Sequence, residues 1–271
     1  MQPYLTGHPR LPGTPHSAPS PEDESKQRLP EIGSAFLDSH PLDYYTSVRY
    51  DVVSMIPPGV QSILEVGCGA GQTGALLRKL GVSRLIGVEI NPRLRPFAQP
   101  HYSQLITGDV EDLDLSEISP QSIDCILYPD VLEHLRDPWR VVQRHTRVLR
   151  PGGVVVASIP NVRYYKAVRD LVLRGRWDYQ DAGILDKGHL RFFTRSSIEH
   201  LFLTNGLVIL KMEANLRGPD VLRFVNKLVL NRLLPFLAKQ YLVVAQKPVS
   251  TSSESLTRSV GTSMSRPRTS P

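Results

Sequence analysis

A chain of 271 residues with 41% apolar and 21% charged residues can bury one substantial core and makes one or two domains. Two cysteines, Cys68 and Cys125, exclude a disulfide scaffold. No apolar run is long enough to span a bilayer or resembles a signal segment, so a reducing cytoplasm is the expected setting. The net charge of +6 is uneven: 14 Lys and Arg stand against 7 Asp and Glu between Asn161 and Gln240, leaving the remainder near neutral. That excess is either a solvated basic face or a surface for an anionic acceptor or membrane.

Residues 1–30 are rich in Pro, Ser and Gly without periodicity and read as a disordered tail. Val48 to Ile56 reads as a helix ended by Pro57-Pro58-Gly59, and Ser62 to Val66 as a buried strand. A glycine loop then opens a helix over Ala75 to Leu80. Glycines at Gly67, Gly69, Gly71 and Gly74 allow a sharp turn and a close approach of a ligand to backbone amides. Glu65, two residues before the first glycine, suits a positively charged ligand better than a pyrophosphate. The next strand, Arg84 to Glu89, ends in an acid about 20 residues beyond the glycines, where one carboxylate can accept from both hydroxyls of a ribose.

Asn91-Pro92 starts another helix, Ser103 to Thr107 a third strand, and Ser122 to Tyr128 a fourth. A long helix opens at Asp137-Pro138-Trp139, with Val141, Val142, Thr146, Val148 and Leu149 inward. It ends at Arg150-Pro151-Gly152-Gly153 before a fifth strand, Val154 to Ile159. Further on lie a basic helix (Tyr164 to Arg174), a capping box Ser196-x-x-Glu199 opening a helix to Thr204, and strands Leu207 to Met212 and Tyr241 to Ala245. Val221 to Leu237 is an amphipathic basic stretch, and residues 248–271 form a second disordered tail.

Glu65-x-Gly67-x-Gly69-x-Gly71 resembles motif I of the class I S-adenosylmethionine (SAM) methyltransferases. Asp130-Val131-Leu132-Glu133-His134 with Leu149 to Gly153 is similar to small-molecule enzymes of the ubiquinone-biosynthesis type. His189 to Phe193 resembles a signature of bacterial methyltransferases of glycan and lipid biosynthesis. The resemblance covers about Tyr44 to Lys247. It implies an α/β fold, a Rossmann-like seven-stranded mixed sheet, mostly parallel with an antiparallel last strand, and helices on both faces. One domain over 31–247 is expected, with acceptor-side insertions at 161–194 and 213–239. The resemblance further implies SAM as cofactor, held by Glu65, Gly67, Gly69, Gly71, Glu89, Ile90, Asp109, Val110 and Tyr128. Asp109 would accept from the adenine amino group and the Val110 amide would meet a ring nitrogen. The helix before the first strand commonly lids the cofactor in that family, where Arg49 is either a partner of the cofactor carboxylate or a surface residue.

An oxygen acceptor must lose a proton, which a histidine near neutral pKa can take. His134 and His189 are the candidate catalytic bases, against purely structural roles for each. Asp130, Glu133 and His134 at i, i+3, i+4 would share one helical face able to take a divalent cation, although no metal is expected. Amino-directed nucleic-acid methyltransferases would carry a Pro-Pro-aromatic motif where this chain has Tyr128-Pro129-Asp130, and cytosine-C5 enzymes a Pro-Cys, so no nucleic-acid partner is expected. The expected activity is methyl transfer to a small molecule, an anionic or lipid-linked hydroxyl compound such as a sugar or glycan precursor, with peripheral membrane contact through Val221 to Leu237. The alternatives are a quinone-type O-methyltransferase and a non-catalytic SAM-fold binding protein.

Overall fold

The computed structural model describes residues 47–216 and 232–249. The two tails and most of the Val221 to Leu237 stretch lie outside these residues. In chain order the elements are α1 (Tyr50–Val53), β1 (Ser62–Val66), α2 (Gln72–Lys79), β2 (Arg84–Glu89), α3 (Arg95–Ala98), β3 (Gln104–Thr107) and β4 (Ile123–Pro129). Then come α4 (Pro138–His145), β5 (Leu149–Pro160), α5 (Tyr165–Arg174), α6 (Arg195–Thr204), β6 (Val208–Leu216), α7 (Leu234–Leu237) and β7 (Ala238–Gln246). Short 3-10 turns cover Pro92–Leu94, Gln99–His101 and Leu132–His134.

The seven strands form one sheet in the order β3-β2-β1-β4-β5-β7-β6. β3, β2, β1, β4 and β5 run parallel, and β7 is antiparallel to both neighbours. This is the mixed sheet expected from the sequence. The central strands are apolar on both faces because both are covered. Leu64, Val66, Ile126 and Tyr128 face a cluster with Val141 and Val142 of α4 and Ile198, Leu201 and Phe202 of α6. Ile63, Leu85, Cys125 and Leu127 point the other way, onto Val52 of α1, Leu77 of α2 and Tyr102. The period of two along each strand sends alternate side chains to opposite layers. The order of connection reverses between β1 and β4, and the crevice outside the carboxyl ends of the strands at such a reversal is where α/β sheets receive ligands.

Three local expectations are corrected. α1 is only four residues long, shorter than the expected Val48 to Ile56 helix. α4 stops at His145, and Leu149, read as its last apolar residue, instead begins β5 opposite Ile123. The cap of α6 is Thr194 with Ser197, two residues before the expected box: Ser197 N donates to Thr194 Oγ1 and Thr194 N to Ser197 Oγ. Glu199 is engaged by Arg195 at 2.9 Å, which removes it from the capping role.

Candidate active site

The loop after β1 turns through Gly67, Gly69 and Gly71 at φ of 71°, 54° and 85°, the left-handed region that side chains rarely adopt. A Cβ on Gly67 would stand 2.7 Å from Val131 Cγ2, so only glycine lets the loop after β4 close on the loop after β1. Gly71 caps α2, whose free amides face the crevice.

Glu89, 6% exposed, ends β2 beside this loop. Its Oε2 accepts from Gly69 N at 2.8 Å and its Oε1 from Asn91 N at 2.9 Å. A carboxylate placed at this turn can accept from a pair of vicinal hydroxyls. Ile90, directly after it, is an exposed apolar side chain. Val110 is buried, while Asp109 is half-buried with both oxygens engaged: Oδ1 accepts from Glu111 N at 2.8 Å and Oδ2 from Arg136 Nη2 at 3.2 Å.

Two of the expected cofactor-binding residues, Glu65 and Tyr128, are buried. Glu65 is 1% exposed, its Oε2 accepting from Tyr102 Oη at 2.7 Å. Alternation along β1 puts it in the layer of Ile63 and Tyr102, and burial pushes its carboxyl up to about 7. Tyr128 is fully buried, with its hydroxyl 2.6 Å from His145 Nδ1. At the strand end it offers its backbone.

The helical face expected for Asp130, Glu133 and His134 does not form. Asp130 takes a left-handed conformation, φ 55°, immediately after β4, and only Leu132–His134 are helical. Asp130 joins a separate network, accepting from Arg49 Nη1, Gln240 Nε2 and Ser158 Oγ, the last at 2.5 Å. Arg49 also grips Asp51 through Nε and Nη2, each at 3.0 Å. Arg49 is thus neither a free surface residue nor open toward a cofactor. Ser158 and Gln240 escaped the sequence reading. A polar residue in the apolar run of β5 was the available signal for Ser158, whereas nothing marked Gln240.

The structure does bring His134 and His189 together, with ring centroids 4.8 Å apart and the planes at 74°. Leu190 N and Arg191 N both donate to the Glu133 carbonyl, at 2.8 and 2.9 Å, fastening the 189–191 segment onto the loop after β4. Burial lowers the pKa of His134, so near neutral pH its ring is unprotonated. Glu133, 1% exposed, lies beneath both rings, and burial pushes its carboxyl well above the usual range.

A methyltransferase-domain family matches residues 19–212. An uncharacterized methyltransferase of Mycobacterium leprae (strain Br4923) is 31% identical over 130 residues, 44% of this chain and 48% of that protein. A ubiquinone biosynthesis O-methyltransferase of Paracidovorax citrulli is 33% identical over 104 residues, covering 36% and 43%. The chain thus spans about half the length of the curated relatives it matches. A SAM-dependent methyltransferase from Mesorhizobium loti superposes with a TM-score of 0.51 at 17% identity, covering 72% of this chain and 95% of that one. One from Archaeoglobus fulgidus gives 0.52 at 17% identity, covering 70% and 87%. The family match, the strand order and the glycine loop beside Glu89 agree, and the chain belongs to the methyltransferase-domain family, with the class I fold.

Proposed function

We propose that the protein transfers the methyl group of SAM to a hydroxyl of a small molecule. The observation that carries this reading is the placing of two groups at the carboxyl ends of parallel strands β2 and β4. On one side the Glu89 carboxylate sits at the glycine loop; on the other, His134 and His189 face each other after β4. In this reading Glu89 takes the ribose hydroxyls, Gly67, Gly69 and Gly71 admit the ligand to the backbone, and Ile90 and Val110 flank the adenine. Asp109 reaches the adenine amino group only by sharing its carboxylate with Arg136. Glu65 acts through its hydrogen bond with Tyr102, which holds the β1 end in place. SAM supplies an electrophilic methyl on a sulfonium. His134, unprotonated near neutral pH, and His189 are the groups placed to take the proton of the acceptor.

The acceptor class follows from the segment around His189. Phe192 stacks edge-on to Trp177 at 5.3 Å and lies 6.4 Å from His189, a surface suited to the face of a ring. The excess of basic residues in the sequence between Asn161 and Gln240 favours an anionic acceptor such as a sugar or glycan precursor, free or lipid-linked. Leu171, Val172 and Leu173 are exposed on α5 between Arg169 and Arg174, which favours contact with a membrane surface from the cytoplasm. No helix among the described residues is long and apolar enough to cross a membrane.

A quinone-type phenolic hydroxyl is the second reading, favoured by the relatives from Paracidovorax citrulli and Xanthomonas campestris named as ubiquinone biosynthesis O-methyltransferases. Incubation with methyl-labelled SAM and panels of lipid-linked sugars and demethyl quinones tests both. Label in a sugar fraction supports the first reading and label in the quinone the second. SAM binding with no transfer to extracts from a deletion strain would leave a non-catalytic binding protein.

A further inference from the structure

We propose that Glu133, His134 and His189 bind a divalent first-row transition ion of the Zn2+ type, leaving a coordination position open toward the acceptor. The ligand atoms of the three residues all lie within 4.8 Å of one another. Neither carboxylate oxygen of Glu133 has a hydrogen-bond partner, although the residue is almost wholly buried. A buried carboxylate left in that state is costly, and His189 Nε2, 3.9 Å from Oε1, is beyond hydrogen-bond reach.

The histidines are oriented for ligation. His134 Nδ1 lies 3.0 Å from the Gly188 carbonyl and His189 Nδ1 2.9 Å from that of Ile184. A carbonyl only accepts, so Nδ1 carries the proton in both rings and Nε2 is left with a lone pair. Backbone geometry supports the pairing. A Cβ on Gly188 would stand 3.0 Å from His134 Nδ1, so glycine is what lets the chain before His189 lie against that ring. Leu190 and Arg191 are tied to the Glu133 carbonyl. Asp130 and Asp186 add negative charge around Glu133, against Arg49 as the cation. Two imidazoles and one carboxylate form a donor set suited to Zn2+ with a position to spare. Bonds of about 2.0–2.2 Å place tetrahedral ligands roughly 3.4 Å apart, so closure needs side-chain movements of about 1 Å.

The inference rests on and deepens the acceptor-side reading: Glu133, His134 and His189 would hold an ion that lowers the pKa of the acceptor hydroxyl, whose proton would leave to solvent as its oxygen takes the methyl from the sulfonium, and the two histidines would act as ligands in place of bases. The test therefore uses metal alone. The full chain, stripped with a chelator, is titrated with Zn2+ by calorimetry without SAM, and melting is followed with and without one equivalent. Co2+ serves as a visible probe. The expected result is one saturable site, a higher melting temperature and the visible absorption of low-coordinate Co2+. His189→Asn and Glu133→Gln should each weaken binding by about 100-fold or more. His200→Ala, an exposed histidine on α6, should leave it unchanged. Absence of a stoichiometric site, or equal binding in the His189→Asn protein, overturns the proposal even if Glu133→Gln fails to fold. SAM binding, measured separately, is untouched by that failure.

Discussion

Tyr102 Oη donates to Glu65 Oε2 across 2.7 Å, joining the residue just before β3 to the end of β1 in the buried layer beneath the glycine loop. The glycines are shaped around this ring. A Cβ on Gly74 would lie 2.5 Å from Tyr102 Cζ and Oη, and one on Gly87 2.9 Å from Cδ1. Removing the hydroxyl with Tyr102→Phe leaves a buried carboxyl without its donor, and unfolding in urea should show a loss of about 1–3 kcal/mol. Gly74→Ala overpacks the ring and should cost a similar ~1–3 kcal/mol. Tyr102→Phe does not relieve that clash, because Cζ remains. Stability unchanged in both variants would contradict the packing described.

Glu65 also makes stability depend on pH. Burial lifts its carboxyl from an ordinary 4.5 to about 7, with the Tyr102 hydrogen bond opposing and the nearby Glu89 charge adding to the rise. The folded state therefore keeps a proton that the unfolded chain has released. The contribution is fully present below about 4.5 and is lost as pH rises through about 7. Its span is at most about 3 kcal/mol. Urea midpoints of wild type and Glu65→Gln across this window check the sign: the wild type should lose stability relative to the variant as pH rises. Parallel curves would remove Glu65 as the titrating group.

Glu89→Ala should weaken SAM binding by about 10–100-fold, as expected when hydrogen bonds to a charged acceptor worth about 1–3 kcal/mol are lost. The variant also strips Gly69 N and Asn91 N of their acceptor, so the loop should loosen and melting should fall modestly. Calorimetric titration with SAM decides. Wild-type affinity in the variant would place the ribose elsewhere.

The sheet was largely legible because its signals are local. β1 and β2 have the expected bounds, each an apolar run closed by glycine or an acid, and the strand at Tyr241 to Ala245 lies within β7. Local periodicity misled where tertiary pairing competes: Leu149 continues the apolar pattern of α4, yet it lies opposite Ile123 in the sheet. The pairing of His134 with His189 depends on a segment 54 residues away folding back onto the loop after β4, which no spacing rule carries. Tyr102 was invisible for the same reason. At Asp130 the departure is conformational: the i, i+3, i+4 spacing implies a regular helix, whereas one left-handed residue redirects the chain.

That residue gives the last prediction. Asp130 combines a φ of 55° with a carboxylate that holds Arg49, Ser158 and Gln240, so backbone strain and side-chain bonding oppose each other at one position. Asparagine tolerates the left-handed region and can still accept from Ser158, but it has no charge for the half-buried Arg49. Alanine loses every bond and keeps the strain, at about 1–2 kcal/mol for a residue with a Cβ, whereas glycine loses the bonds and relieves it. Stability should therefore fall in the order wild type, Asp130→Asn, Asp130→Gly, Asp130→Ala. Because Arg49 precedes α1, limited proteolysis near Tyr50 should accelerate in the same order. If Asp130→Gly proves more stable than wild type, strain outweighs the network and Arg49 is not what fastens α1 to the ends of β4 and β5.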